Sequence, residues 1–184
     1  MANNNAKTDV NMREVIAEWI FQEFWRSETL PSDTLHMEYT KILMNVAAAD
    51  GVLADAERKW ILGNLAAKGG SDQIYKHFAT YTPSEADLQA TITQRPTFTQ
   101  VGARALVFDA FTAASADKEL HPAERKAIYQ VGRTMGIDDT LLQQIEQASA
   151  DEKKRRTEIV ALLFPEGLKK ACDDASADFK QDQS

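Results

Sequence analysis

Two stretches of the chain decide its fold: residues 48–61, AADGVLADAERKWI, and residues 115–128, SADKELHPAERKAI. Aligned at an offset of 117 − 50 = 67, they share eight of 14 residues, where ordinary residue frequencies give roughly one match. The same offset places Gly69 on Gly136. We interpret the stretches as two copies of a helix–loop–helix unit, around residues 34–69 and 98–136, which stack to bury a shared core.

Each copy carries the same signals for where helices end and begin. A helix rich in small residues ends at Asp50 or Asp117, and a short loop with a leucine follows. The next helix then begins, with Glu57 or Glu124 in its first turn. We predict a closed bundle in which a pseudo-twofold axis relates the two units.

The remaining segments also have helical spacing of apolar residues, and none shows the alternation of a strand flanked by hairpin turns. We therefore predict an all-α, single-domain bundle of about seven to nine helices. Residues 1–11 are polar and predicted to be disordered or frayed, residues 12–164 form the helical domain, and residues 165–184 form a C-terminal helix with a polar tail. Near the end of the domain, residues 138–149 and 152–164 are predicted to be separate helices.

Composition narrows the classes of function. The net charge of 21 − 28 = −7 and the pI near 5.0 disfavour binding to nucleic acid, because an acidic protein repels phosphate backbones. A single cysteine, Cys172, cannot form an internal disulfide and indicates a reducing compartment. No apolar stretch approaches the ~20 residues of a transmembrane helix, and no apolar segment follows a basic start. We expect a cytoplasmic protein without a transmembrane segment.

The duplicated carboxylates Asp50, Glu57, Asp117 and Glu124 have two interpretations. In the structural one, each glutamate lies in the first turn of a helix, where it stabilises the positive helix end and accepts a hydrogen bond from a loop amide. Asp50 and Asp117 would then bind loop amides too, or pair with the repeated arginines Arg58 and Arg125.

In the second interpretation the same four carboxylates bind a divalent cation such as calcium or magnesium. The spacing Asp-Gly-x-Leu-x-x-x-Glu of the first copy resembles the second half of an EF-hand loop. The first half has no carboxylates, which excludes a standard EF-hand. A cation could still bind if the twofold axis brought all four carboxylates together, because like charges held close favour a counter-ion.

The paired motifs A-A-D-G-x-L-x-x-x-E and S-A-D-x-x-L-x-P-x-E-R resemble the acidic motifs of the tellurite-resistance B (TerB-like) family. The N-terminal domain of a membrane-anchored DnaJ-type co-chaperone is similar. The resemblance covers about residues 12–164. It implies an all-helical fold, an acidic surface suspected of binding metal ions, and a role in tellurite resistance and stress response. It also implies protein partners, often near the membrane.

Other signals are weaker. No nucleophile elbow, P-loop or dinucleotide-binding motif occurs, so we expect neither an enzyme nor an organic cofactor. His121 is predicted to cap a helix or to lie on the surface, rather than to form half of a zinc site, because no second histidine lies at ligand spacing. The basic run at residues 153–156 is predicted to be a solvated helix face, with an acidic partner or anionic membrane as the alternative. The aromatic residues of the first helix are predicted to lie in the core; any that stay exposed would form a docking face for a partner.

Overall fold

A computed structural model describes residues 11–93, 100–117 and 120–181. These residues form nine α-helices and no strand, which confirms the predicted all-α class. The predicted frayed segment lies almost wholly outside the described residues. The helices are α1 (Met12–Trp25), α2 (Asp33–Ala47), α3 (Asp55–Ala67), α4 (Asp72–Thr80), α5 (Glu85–Thr93), α6 (Gln100–Ala114), α7 (Pro122–Thr134), α8 (Asp139–Leu163) and α9 (Leu168–Gln181).

The core is built around α2 and α6, which pack against each other. Helix α2 also contacts α3, α4, α5 and α7, and α6 also contacts α3, α7 and α8. Both helices end in buried alanines, Ala47 in α2 and Ala113 and Ala114 in α6. Small side chains at these ends let neighbouring backbones approach closely, as the composition of the repeat predicts.

The ends of the two repeated units have the same local hydrogen bonds. After α3, the amide of Gly70 donates to the carbonyl of Leu65, and after α7 the amide of Ile137 donates to the carbonyl of Gly132. Gly69 and Gly136 both have positive φ, 88° and 84°, a conformation that favours glycine. The pseudo-twofold relation between the whole units stays a prediction, as do the domain boundaries.

Two predictions about individual helices are wrong. Residues 139–163 form one continuous helix of 25 residues rather than two, because nothing between 149 and 152 breaks a helix: the stretch contains no glycine or proline. The first helix is not part of the core. Only Ala17 of α1 is buried, while Trp19, Phe24 and Trp25 are 58%, 55% and 40% exposed.

Helix α8 extends beyond the bundle, and α9 packs against no other described helix. Every residue of α8 after Ser149 is exposed, although α6 and α7 contact the helix. None of the described helices is both long and apolar enough to cross a membrane.

The contact of α1 with the bundle can be tested at two glycines. Gly51 and Gly69 both have positive φ, but a Cβ at Gly51 would meet nothing within 4 Å, whereas one at Gly69 would lie 2.9 Å from the Cβ of Ala17. We expect Gly51→Ala to lower the free energy of unfolding by ~1 kcal/mol through backbone strain alone. Gly69→Ala should lower it by ~2–3 kcal/mol, because overpacking against α1 adds to the strain. Urea denaturation of both variants measures the difference, and equal losses would contradict the packing of Ala17 on Gly69.

Candidate functional site

Glu57 and Glu124 close the starts of their helices in the same way. A carboxylate oxygen of Glu57 accepts a hydrogen bond of 2.8 Å from the amide of Ala54, three residues before it. Glu124 accepts one of 2.8 Å from the amide of His121. Both are the glutamate half of a capping box. The two side chains are only 2% and 3% exposed, so the structure buries both carboxyl groups.

The two buried carboxyl groups also meet each other. The side chains of Glu57 and Glu124 lie within hydrogen-bonding reach of each other, and a hydrogen bond between them requires a proton on one of them. Burial, followed by the hydrogen bond and the charge of Glu124, raises the pKa of Glu57 to about 8. Burial also raises the pKa of Glu124. The shared proton therefore stays on the pair at neutral pH, and protonated Glu57 donates to the Glu124 carboxylate.

Asp50 and Asp117 lie within electrostatic reach of this pair. The negative charge of Asp117 contributes to the raised pKa of both glutamates, and that of Asp50 contributes to the raised pKa of Glu124. The four predicted site residues therefore influence one another electrostatically. Among the described residues, however, no three or more His, Cys, Asp or Glu side chains are grouped so that they could hold a metal ion.

The hydrogen bonds around the two loops show which partners the repeated polar residues have. Asp50 accepts a hydrogen bond of 2.9 Å from the amide of Val52, as the structural interpretation predicts. His121 caps α7, its Nδ1 accepting from the amide of Ala123. The predicted pairing of the arginines with the aspartates is wrong, because each arginine points to another element. Arg58 donates to the carbonyls of Phe78 and Tyr81, and Arg125 binds Glu146.

A groove of about 1090 Å³ opens between α1, α3, α6 and α8. Its walls are mainly apolar. Aromatic side chains line it from α1, α3 and α6: Phe24, Trp25, Trp60 and Phe108. On α3 the lining residues include Ala56, Gly63 and Ala67, whose small side chains leave the space open. The basic residues Lys59, Lys153 and Arg156 lie along its edges.

A buried charge forms part of the groove floor. One oxygen of Asp109, which is 3% exposed, accepts hydrogen bonds from Tyr39 Oη at 2.7 Å, from Asn64 Nδ2 at 3.1 Å and from Lys68 Nζ. The ammonium group of Lys68 also lies 5.2 Å from the ring centroid of Trp25, which places α1 over this floor. Burial and the Asp109 charge raise the pKa of Tyr39 well above its usual value, so its hydroxyl stays a donor.

The groove could not be predicted from the sequence, because its walls come from four separate helices. One signal was present: Ala56, Trp60, Gly63 and Ala67 recur at intervals of three and four residues, which places them on one face of α3. Small residues on such a face indicate either a close helix contact or an open cleft. The bundle leaves this face of α3 uncovered, which makes it a cleft.

Comparison with known proteins agrees with the fold and the acidic motifs. The family described as tellurite resistance protein TerB matches residues 36–147, more than half of the chain. The chain belongs to the TerB family. It is also similar to a tellurite resistance protein from Nostoc punctiforme whose crystal structure is known. The two share 27% sequence identity with a TM-score of 0.71, and the match covers 85% of this TerB-family chain and 97% of the other. No curated protein matches the chain.

The buried pair predicts how stability depends on pH. The folded protein keeps a proton on Glu57 up to about pH 8, whereas an unfolded glutamate loses it near 4.5. The folded state therefore binds more protons between these values, and the pair's contribution to stability falls as the pH rises through this window. In Glu57→Gln the amide can still accept from Ala54 and donate to Glu124 without titrating. We therefore compare the free energy of unfolding of this variant with that of the native protein. The difference should shift in favour of the variant by ~1 kcal/mol or more between pH 5 and pH 8.5.

Urea denaturation at several pH values measures this effect. Glu57→Ala is the control: it removes the bond to Ala54 and should be less stable than Glu57→Gln at every pH. A difference between Glu57→Gln and the native protein that does not change with pH would contradict the shared proton.

Proposed function

We propose that this TerB-family chain is a non-enzymatic docking protein of the tellurite stress response, which binds a helical protein segment in the groove between α1, α3, α6 and α8. The observation that carries the proposal is the groove itself, about 1090 Å³ of mainly apolar space lined by exposed aromatic residues. Exposed apolar surface of this kind is a feature of protein-binding sites.

The size and chemistry of the groove suit a helix better than a small substrate. All four of its walls are helices, and aromatic anchors such as Trp25 and Trp60 are enriched where proteins bind each other. The polar side chains of its floor are engaged with one another: Lys68, Tyr39 and Asn64 all donate to Asp109. In this proposal the four acidic residues serve the architecture, since Glu57, Glu124 and Asp50 bind loop amides.

Gly63 allows the groove to be blocked without disturbing the bundle. It lies in the middle of α3 and lines the groove, and a Cβ there would meet nothing within 4 Å. Gly63→Leu would fill the groove, whereas Gly63→Ala adds one methyl group and favours the helix by about 1 kcal/mol. In cells that depend on this gene, we expect Gly63→Leu to abolish tellurite resistance and Gly63→Ala to keep it.

Growth on a tellurite series measures this outcome. Thermal unfolding and expression level must show that both variants are folded and equally abundant. Full resistance with folded Gly63→Leu would exclude the groove as the functional surface.

A divalent cation held by Asp50, Glu57, Asp117 and Glu124 is a second candidate function. The observation that favours it is the buried glutamate pair, on which burial, together with the repulsion of the surrounding carboxylates, keeps a proton at neutral pH. A cation would replace that proton and neutralise the remaining charge. Calcium and magnesium suit oxygen ligands of this kind.

Calorimetric titration with calcium and with magnesium tests this candidate at pH 7. We expect saturable binding with release of about one proton, because the pair is protonated before the cation arrives. The proton appears as a binding enthalpy that changes with the ionisation enthalpy of the buffer. Asp50→Asn/Asp117→Asn is the matched variant, since asparagine keeps the acceptor for Val52 and removes the charge. No saturable heat with either cation in the native protein would reject the cation site.

A further inference from the structure

We propose that the groove is filled by the C-terminal arm of a second copy of this chain, so that the protein is a symmetric dimer. The C-terminal arm is defined here as residues 157–181, the last turns of α8 together with α9. The proposal rests on the groove-docking function proposed above and names the occupant. Three features of the described residues support it: an arm whose α9 packs against no other described helix, one helix face shared by arm and groove, and complementary charge.

The C-terminal arm carries apolar side chains that stay exposed among the described residues of its own chain. Ile159, Val160 and Leu163 are 40%, 49% and 62% exposed, and Leu168 at the start of α9 is 54% exposed. Helix α9 packs against no other described helix. Filling the groove with the arm of another copy covers both surfaces, and it needs no change in the backbone described here.

The same face of α8 lines the groove and carries these apolar residues. Ser149, Glu152, Lys153 and Arg156 line the groove and are spaced as one stripe, at intervals of three, one and three residues. At about 100° per residue, Ile159, Val160 and Leu163 continue that stripe within ~60° of Arg156. A helix of a second copy that packs along this face of α8 would therefore contact the groove at one end and the apolar arm at the other.

A twofold axis near Arg156 would place the arm of each copy against the groove of the other. If two α8 helices pack antiparallel about such an axis, Leu163 of one copy lies near the partner's Ser149, because both are seven residues from Arg156. Ile159 lies near the partner's Lys153 for the same reason. The second copy makes the same two contacts in return, which is the self-complementary arrangement of a twofold interface. One symmetric packing therefore fills two grooves with two arms.

Charge favours the same arrangement. The groove is lined by Lys59, Lys153 and Arg156 and by one exposed carboxylate, Glu152, which pairs with Arg156, in a chain whose net charge is −7. The C-terminal arm, residues 157–181, contains five Asp or Glu and three Lys, a sum of 3 − 5 = −2. A negatively charged arm entering a positively edged groove lowers the repulsion between two acidic copies.

The test compares the dimerisation of single variants of the full-length chain by sedimentation equilibrium. We expect the native protein to dimerise, and Leu163→Glu to weaken the dimer by about tenfold or more, because each copy loses one buried leucine. Leu162→Glu is the matched control. Leu162 is 80% exposed but lies about 100° from Leu163, off the stripe, so its variant should dimerise like the native protein. Both residues are exposed in the single chain, so neither change should affect folding.

Mixing two variants tests which surfaces meet. Leu163→Glu alters the arm and keeps the groove, whereas Gly63→Leu fills the groove and keeps the arm. Each alone should be mainly monomeric. Mixed in equal amounts they should form heterodimers, because one intact arm can enter one intact groove. Gly63→Ala should dimerise like the native protein.

The outcomes separate this inference from the proposed function. A native chain that stays monomeric to several hundred micromolar overturns the inference, as does a dimer that Leu163→Glu and Leu162→Glu weaken equally. The docking function survives either result if Gly63→Leu still abolishes tellurite resistance, and the groove then receives another protein. Loss of the dimer in Leu163→Glu, retention in Leu162→Glu and recovery on mixing establish the arm of a second copy as the occupant.

Discussion

A hydrogen bond between two buried carboxyl groups joins the starts of α3 and α7, and the arrangement of the site depends on it. Glu57 and Glu124 each hold the loop that precedes their own helix. Their contact requires one proton, and burial together with the surrounding acidic residues keeps that proton in place at neutral pH. Two ionised carboxylates in the same space would repel each other strongly, because the repulsion grows as the surroundings become less polar.

Both candidate functions depend on the protonation of the Glu57–Glu124 pair. A proton on Glu57 lets the two loops meet without any metal ion, and the acidic residues then serve the architecture. A cation that displaced the proton would bind the same loops together more strongly while changing their charge. The groove lies on α1, α3, α6 and α8, and α3 carries both Glu57 at its start and Gly63 in the groove wall. A change of protonation or of bound cation at the Glu57–Glu124 pair would therefore act on α3, which forms one wall of the groove.

The sequence predicted local structure well and tertiary exposure poorly. The sequence predicted the glutamates in the first helical turns and the all-helical class, since these depend on residues close together in the chain, and capping was one of the two interpretations of His121. That the four carboxylates form one cation site stays a hypothesis. The groove and the exposed face of α1 were not predictable in the same way. Periodic apolar residues show that a helix has an apolar face, but not whether another helix covers it.

The most direct test of this account is a carbon-13 NMR titration of the side-chain carboxyl carbons of Glu57 and Glu124 in the metal-free protein. The account predicts that the two carboxyl groups titrate as a coupled pair, with one apparent pKa raised to about 8. Adding calcium or magnesium at pH 7 would then show whether a cation replaces the proton. Two independent titrations near 4.5, the value of an ordinary exposed glutamate, would contradict the shared proton and with it the role given to the pair.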